Sequence, residues 1–561
     1  MKIVLAALNA KYIHTCPAIY SLKAFAQGQN IKNLEIQTEE YTINDRYTDI
    51  LDQLLSTGAD VFAFSVYIWN VDRTRRLIRD IRKVHPDRVW IWAGGPEASY
   101  NPAPFLTEDG ADLCMLGEGE ETFAHLAANA ASGLTAAPDI RGIAFLKEGQ
   151  LCDTGMAAPV DIETLPFLYS DLSAFHHRIL YYESSRGCPF SCAYCLSGKE
   201  RGLRVKSLQK VKSELQYFLD QKVPQVKFVD RTFNADPVHA MGIWEYLRDH
   251  DNGVTNFHFE IEAGRMTQEE LDLLSELRPG LVQLEIGVQS ANPAALKSVH
   301  RSPELMAVAK VMEALTLRQN INLHLDLIAG LPFEDMKSFA RSFQKVYEMR
   351  PHQLQLGFLK LLKGTELYDR REEYGLVCSQ DAPYEVLKTR WLTYEDISLL
   401  HRISDRVEEY VNSQGFRRSL PLAEGWFDDA FSLFLSLAEY YREQGYEKNT
   451  PSVFKRYEVF RDFLEKEAEK KEEEGESVDP EALTRLLETV KLDQYLHTHP
   501  SRRMTAEAVL SPEGRERHYC FDYRQTSPVN GEAFFIAEDL ADGPGADERA
   551  QKRPSGDAGI F

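Results

Sequence analysis

The stretch Glu183-Ser-Ser-Arg-Gly-Cys-Pro-Phe-Ser-Cys-Ala-Tyr-Cys195 sets Cys188, Cys192 and Cys195 three and then two residues apart in one tight loop. Three thiolates leave a metal centre one protein ligand short, which suits an iron–sulfur cube whose fourth iron stays open to a substrate or cofactor. A structural zinc needs a fourth ligand, and His176 and His177, a dozen residues upstream, keep a Cys3His site open as the alternative. The eight cysteines follow no disulfide framework, so reduced thiols in a cytoplasmic setting are expected.

At 561 residues the chain exceeds one ordinary domain, and about three or four are expected. Its hydrophobic share of 43% is that of a globular protein. No run approaches the roughly 18–20 apolar residues of a membrane span, and the start Met-Lys-Ile-Val-Leu-Ala-Ala-Leu lacks the layout of a cleavable signal, so no membrane partner is expected. The formal charge of −22 repels phosphate backbones and argues against nucleic acid as a partner, even with a local basic patch at 199–212. A small molecule or a peptide is the expected substrate.

Upstream of the cysteines, apolar runs at 2–8, 34–41, 60–67, 89–93 and 112–116 read as strands, and 17–27, 45–55, 71–84 and the stretch from Glu120 as helices. This alternation implies an α/β domain over 1–135, a doubly wound, Rossmann-like parallel sheet. Such sheets take ligands at the carboxyl ends of their strands, where the loops hold 9–14, 65–70, Gly94-Gly95-Pro96-Glu97 and Gly117-Glu118-Gly119-Glu120. Ser65, Gly94, Gly95, Gly117, Glu118 and Gly119 are the candidate contacts. The competing reading is that these glycines only make tight turns. Residues 136–174 read as a connector, a bridge rather than a site, with a short strand at 142–147 and a turn at Thr164-Leu-Pro166.

Residues 175–365 carry six strand candidates, at 179–184, 225–230, 257–262, 281–287, 322–328 and 353–359, with helices between them. Six such units make a partial (β/α)6 barrel of TIM type, with its site at the carboxyl ends of the strands. Alternation puts His258, Glu260 and Glu262 on one face of the third strand, Gln283, Glu285, Gly287 and Gln289 on one face of the fourth, and His324 and Asp326 on one face of the fifth. Helices cover the apolar faces, so these polar faces point inward, and a polar cofactor or a water-filled network occupies the interior. Residues 366–540 read as mainly helical, with stretches at 395–412, 426–444 and 479–496, a charged run at 465–474 and a short strand at 519–523. Residues 541–561 read as a disordered tail.

The order Cys-x-x-x-Cys-x-x-Cys, with Tyr194 before the last cysteine, resembles the cluster loop of the radical SAM superfamily. Asn9-Ala-Lys-Tyr-Ile-His14, Ala93-Gly-Gly-Pro-Glu-Ala98 and Leu116-Gly-Glu-Gly-Glu-Glu-Thr-Phe123 resemble the cobalamin-binding domain fused ahead of many such enzymes. The Asp-x-His-x-x-Gly signature of a lower histidine ligand is missing around His14, and a hydrogen bond is its expected role. Gly287-Val-Gln-Ser290, Arg301 and Asp326-Leu-Ile-Ala-Gly-Leu-Pro332 resemble the corresponding run in the oxygen-independent coproporphyrinogen oxidase branch, and the last third resembles the helical extension of one group of cobalamin-type radical SAM proteins.

The resemblance implies a 4Fe–4S cluster on Cys188, Cys192 and Cys195, and S-adenosylmethionine held by Gln289, Arg301, Asp326 and Glu260. Arg301 would take the methionine carboxylate. It also implies a cobalamin on the first domain. Where many relatives have a glycine-rich turn for the methionine amine, this chain has Val229-Asp-Arg-Thr-Phe-Asn234, and Asp230 is the replacement candidate. The implied activity is reductive cleavage of S-adenosylmethionine to a 5′-deoxyadenosyl radical, with a methyl group carried by cobalamin to an unactivated carbon or phosphorus centre. A reductant such as flavodoxin or ferredoxin would feed it. Methylthiolation, cyclisation or oxidation without cobalamin is the alternative, and a non-catalytic iron–sulfur or zinc protein is a third. Glu262, Glu285 and Tyr194 are open candidates for handling substrate.

Overall fold

The computed structural model describes residues 1–133, 140–199, 202–302 and 305–498, and the backbone of Met504–Leu510, Glu516–Thr526 and Ala533–Asp539. The tail expected to be disordered, 541–561, lies outside the described residues. The chain forms two units, one of Met1–Pro351 with Leu356–Ile397 and one of His352–Gln355 with Ser398–Phe561.

The first unit begins with β1 (Lys2–Asn9), β2 (Glu35–Thr42), β3 (Val61–Ser65), β4 (Trp90–Gly94) and β5 (Leu113–Met115), paired in parallel in the order β2-β1-β3-β4-β5. β1 is inside the sheet with both faces covered, which explains its unbroken apolar sequence. Val4, Ala6 and Leu8 join Phe62, Phe64 and Ile91 in one core, and Ile3, Leu5 and Ala7 join Ala63 and Trp92 in the other. The helix Val71–Val84 lays Leu77, Ile78 and Ile81 onto the first core as a single stripe. Connections leave β1 and β3 toward opposite sides of the sheet, so the loops after them open a crevice at a topological switch point.

The connector behaves differently from the expectation. β6 (Ile143–Lys147) pairs antiparallel with β5, setting Ile143 opposite Met115 and Ala144 opposite Cys114, and β7 (Gln150–Asp153) pairs with β6. These strands belong to the first sheet, because β5 would otherwise present a bare edge. Farther on, Val160, Ile162 and Leu165 pack together against Phe25.

The second half of this unit contains β8 (Leu180–Tyr182), a short pair β9 (Ser185–Arg186) and β10 (Arg204–Val205), then β11 (Gln225–Phe228), β12 (Asn256–Ile261), β13 (Val282–Gln289) and β14 (Asn322–Ala329), while β15 (Gln353–Phe358) has only its last three residues in it. Apart from β9 and β10, these strands form a six-stranded sheet in chain order, with parallel pairing from β8 through β14. β13 alternates fully, with Val282, Leu284, Ile286 and Val288 buried and Gln283, Glu285, Gly287 and Gln289 half-buried. That is the partial barrel with a polar interior that the alternation predicts.

In the second unit, Ala430–Glu443, Val453–Glu473 and Pro480–Thr498 are helices around an aromatic core of Tyr410, Tyr441, Tyr457, Phe460 and Phe463. The charged run at 465–474 is mostly the exposed end of Val453–Glu473. The short strand expected at 519–523 is part of Glu516–Thr526, which pairs antiparallel with Met504–Leu510 and Ala533–Asp539. The region is therefore helical with a three-stranded sheet, of which the alternation of Tyr519, Phe521 and Tyr523 is the legible part. Among the described residues, no helix is long and apolar enough to cross a membrane.

Past β13 the chain turns through Gln289, at φ 66°, into Ser290, whose hydroxyl donates to Glu334 at 2.6 Å, and Ser342 donates to the same oxygen at 2.9 Å. Burial pushes the Glu334 carboxyl from 4.5 up to about 7, with the serine hydroxyls working against it. The folded state thus holds this proton more tightly than the unfolded chain, and stability falls as pH rises between those two values. Glu334→Gln should sit closest to wild type at pH 5 and gain as much as ~3 kcal/mol over it at pH 8, read from urea midpoints. An identical pH dependence in the two proteins would contradict this assignment.

Candidate active site

The cysteines lie on an excursion whose neck is the β9–β10 pair, with Ser185 opposite Val205 and Arg186 opposite Arg204. Asp230, just past β11 and with no exposed surface, clamps the neck from below. It accepts from the Ser184 N–H at 3.0 Å and from the hydroxyls of Ser184 and Ser185 at 2.6 Å each. Gly187, at φ 98°, passes so close to the Gly202 carbonyl that any side chain there would collide. Within the loop the Cys195 N–H donates to the Cys192 carbonyl at 3.0 Å, and the Ala193 N–H reaches the Val299 carbonyl at 3.2 Å. Thr232 Oγ1 is 3.5 Å from Cys188 Sγ, and Arg301 Nη1 is 4.0 Å from Cys192 Sγ. Three thiols on one braced loop match the ligand set of an iron–sulfur cube.

Beside this loop lies a cavity of about 640 Å³. Ser65, Gly94, Gly95, Gly117, Glu118 and Gly119 all border it from the first sheet, and Tyr181, Arg186, Leu196 and Arg231 border it from the barrel side. Gly95, at φ 98°, lies against the Val66 backbone, so its turn by itself demands glycine; this reading and the cavity reading hold together. The segment Leu165-Pro-Phe-Leu-Tyr169, read from sequence as part of a bridge, also lines the cavity. His14, at the mouth of the β1 loop, brings Nδ1 to 2.6 Å from the Tyr181 hydroxyl, so its hydrogen bond reaches across to the barrel.

Glu118 borders the cavity and also ties the loop after β5 to the barrel side. Its carboxylate meets Arg204 and Arg186, the latter at 3.1 Å, and accepts the Val160 N–H at 2.8 Å. Arg186 also pairs with Glu120 and Glu183, each at 2.8 Å, and Glu120 accepts the Ser21 hydroxyl at 3.0 Å. All of these side chains are largely buried, so the loop after β5 and the neck of the cysteine loop are pinned to each other by the pairing of three carboxylates with two guanidiniums. The sequence signal was present as an acidic pair in one motif and an arginine two residues before the first cysteine, but nothing in one dimension joins them.

Inside the barrel, Lys227 lies 3.1 Å from Glu285 and 3.7 Å from Glu260, His258 Nε2 is 2.9 Å from Glu285, and His324 Nε2 is 3.0 Å from Asp326. Burial opposes ionisation of Glu285, but the bond from His258 and the Lys227 charge hold its carboxyl down at about 2. Burial and the neighbouring Glu285 push Glu260 up. Glu285, His324 and Asp326 bring ligand atoms within 4.8 Å of one another, with Lys227 supplying the cation of the network. Arg301 spans the gap to the cysteine loop, donating through Nη2 to Glu262 and to the Gly287 carbonyl, both at 2.8 Å. Glu260, Gln289, Arg301 and Asp326 thus gather around the barrel interior, whereas Asp230 does not. Both its oxygens accept from Ser184 and Ser185, and the residue is fully buried beneath the neck of the cysteine loop.

The chain matches the B12 binding domain family over residues 3–127, the Radical SAM superfamily over residues 182–346, and the family described as Protein of unknown function (DUF4080) over residues 372–526. It is 25% identical over 324 residues to the 2-(S-pantetheinyl)-carbapenam-3-carboxylate methyltransferase of Streptantibioticus cattleyicolor, covering 53% of this chain and 46% of that one. To the cobalamin-dependent radical SAM methyltransferase TokK of Streptomyces tokunonensis it is 25% identical over 347 residues, covering 56% and 49%. The chain spans about half the length of these curated relatives. The structure of OxsB, a cobalamin-dependent S-adenosylmethionine radical enzyme with aqua-cobalamin bound, superposes with a TM-score of 0.59 at 16% identity, over 89% of this chain and 80% of that one, a likeness of fold. The radical SAM match brings with it a 4Fe–4S cluster and S-adenosylmethionine, and the B12 match a cobalamin. This chain is a radical SAM protein in which a B12-binding domain precedes the barrel and a DUF4080 region follows it.

Proposed function

We propose that the protein is a cobalamin-dependent radical SAM methyltransferase acting on an unactivated carbon or phosphorus centre of a small molecule or peptide. The observation that carries this reading is the shared cavity, bordered on one side by the loops after β3, β4 and β5 and on the other by the flank of the cysteine loop. Both named relatives are methyltransferases, which supports the same reading. When bound, the cluster and S-adenosylmethionine supply radical chemistry and the corrinoid supplies a methyl group.

The chain's own residues do the rest. Cys188, Cys192 and Cys195 hold the cluster, and Asp230 with Gly187 keeps their loop in one shape. Gln289, Arg301, Asp326 and Glu260 are the candidates for holding S-adenosylmethionine, with Arg301 the one that also reaches the cysteine loop. Ser65, Gly94, Gly95, Gly117, Glu118 and Gly119 are the candidates for seating the corrinoid. The surrounding walls, including 165–169, exclude water and stray hydrogen donors.

The test is made on anaerobically purified protein with reconstituted cluster and added cobalamin. Wild type should retain corrinoid absorbance after desalting and form 5′-deoxyadenosine under reduction, and Cys192→Ala should form none. Cleavage without retained corrinoid would transfer the reading to radical chemistry of another type, and absence of cleavage would sink the enzyme reading. The pinning of the two loops has its own check. Arg186→Gln leaves Glu118 and Glu120 buried without their shared cation and should cost roughly 3 kcal/mol in urea unfolding. A midpoint equal to wild type would show that the charges do not hold the loops.

A further inference from the structure

The DUF4080 match begins at residue 372, yet residues up to Ile397 belong to the first unit. There they build a hairpin of β16 (Val377–Cys378) and β17 (Val386–Lys388), paired antiparallel. The hairpin is laid on the carboxyl end of the barrel. The Leu359 N–H donates to the Ala329 carbonyl at 2.9 Å, the Val386 N–H to the Leu359 carbonyl at 2.8 Å, and the Leu361 N–H to the Tyr384 carbonyl at 3.0 Å, so hydrogen bonding passes from the end of β14 through 359–361 into the hairpin. Val386 has no exposed surface and packs on Gly330, where a Cβ would collide with it. These contacts account for the base of the hairpin but not for its tip.

The tip reaches past the barrel to the first sheet. The Tyr384 hydroxyl donates to Glu97 Oε2 at 2.7 Å, across 287 positions of sequence, and among the described residues it is the one hydrogen-bond donor to that half-buried carboxylate. Gly364, at φ 89°, stands so close to the Tyr100 ring that any side chain there would collide. Glu97 and Tyr100 lie on one short helix, Pro96–Tyr100, directly after the paired glycines at the end of β4. Gly94, Gly95, Pro96, Ser99 and Tyr100 border the cavity, whereas the Glu97 carboxylate meets the hairpin. Two glycines in succession give this loop a freedom that a ligand-facing wall has to lose. On the sheet side the Val66 N–H holds it, donating to the Gly94 carbonyl at 2.7 Å. On the other side the holds are Tyr384 and Gly364. Tyr384 itself sits at φ 57°, a backbone conformation that bulky residues rarely adopt, with its carbonyl committed to Leu361 and its hydroxyl to Glu97.

We propose that Tyr384 is a positioning residue for the corrinoid: through Glu97 it fixes the Gly94-Gly95-Pro96 loop on which the corrinoid is seated, so the DUF4080 region helps to build the B12 site without touching the cofactor. This rests on the reading of the cavity as the corrinoid's seat. Without the hydroxyl the loop keeps only its sheet-side hold, a smaller fraction of molecules presents the binding shape, and apparent affinity falls by that fraction.

The experiment uses the full chain, anaerobically reconstituted with cluster, and titrates it with hydroxocobalamin by equilibrium dialysis, read from corrinoid absorbance. Tyr384→Phe removes one hydroxyl, keeps the ring, and should weaken corrinoid binding by about fivefold or more. Glu97→Ala should weaken it to the same extent, and Glu97→Gln, which keeps an acceptor for the hydroxyl, should fall between Glu97→Ala and wild type. The Tyr384→Phe/Glu97→Ala double variant should be no weaker than the worse single one. Iron content and affinity for S-adenosylmethionine should stay at wild-type levels throughout, which certifies folding. Undiminished corrinoid affinity in Tyr384→Phe overturns the proposal, and so do additive losses in the double variant, since Tyr384 would then not act through Glu97. A parallel loss of S-adenosylmethionine affinity also overturns it, because the contact would then only hold the fold together. A wild type that binds no corrinoid overturns the reading of the cavity and the proposal with it, so the wild-type titration tells the two failures apart.

Discussion

The guanidinium of Arg186 is the point on which the first unit turns. It sits at the neck of the cysteine loop and meets carboxylates from the loop after β5 as well as its own neighbour Glu183. Burying one cation and three carboxylates is costly unless geometry and hydrogen bonding are nearly complete, and here Arg204, Ser21 and the Val160 N–H complete them. An ensemble in which the two loops drift apart would strand these charges. The penalty makes the relative position of two cofactor-facing loops a matter of electrostatics instead of linker length.

Much of the fold is readable in one dimension because it rests on periodicity. The unbroken apolar run of β1 signals a strand covered on both faces, and the strict alternation of β13 signals one buried face and one polar face. The cysteine spacing is local and needs no folding to be seen. What escapes is whatever depends on residues far apart in sequence. Arg186 and Glu118 are 68 residues apart, and no pattern announces that they touch. β6 and β7 looked like a bridge because short strands carry little signal, and only the exposed edge of β5 explains why they are recruited.

Asp230 shows a subtler limit. A carboxylate at the end of a barrel strand, near a cluster loop, fits a ligand role on chemistry alone. The structure surrounds it with Ser184 and Ser185, and burial raises its carboxyl to about 6 against the pull of those hydrogen bonds. In that position it braces the neck of the cysteine loop. The adjacent Arg231, unremarked in the sequence, is the residue left facing the cavity, so a shift of one position separates the brace from the exposed group.

The recruitment of β6 and β7 into the first sheet has a consequence for modularity. A unit cut at residue 135 would lose two strands and leave the edge of β5 open to pairing with other chains. The sheet therefore runs beyond the B12-binding match, which ends at residue 127. Exchange of such a domain between enzymes would need to carry the acidic loop of the donor and the arginine neck of the recipient as a compatible pair, which makes recombination at this junction a matter of lock and key between loops and not of compatible cofactors.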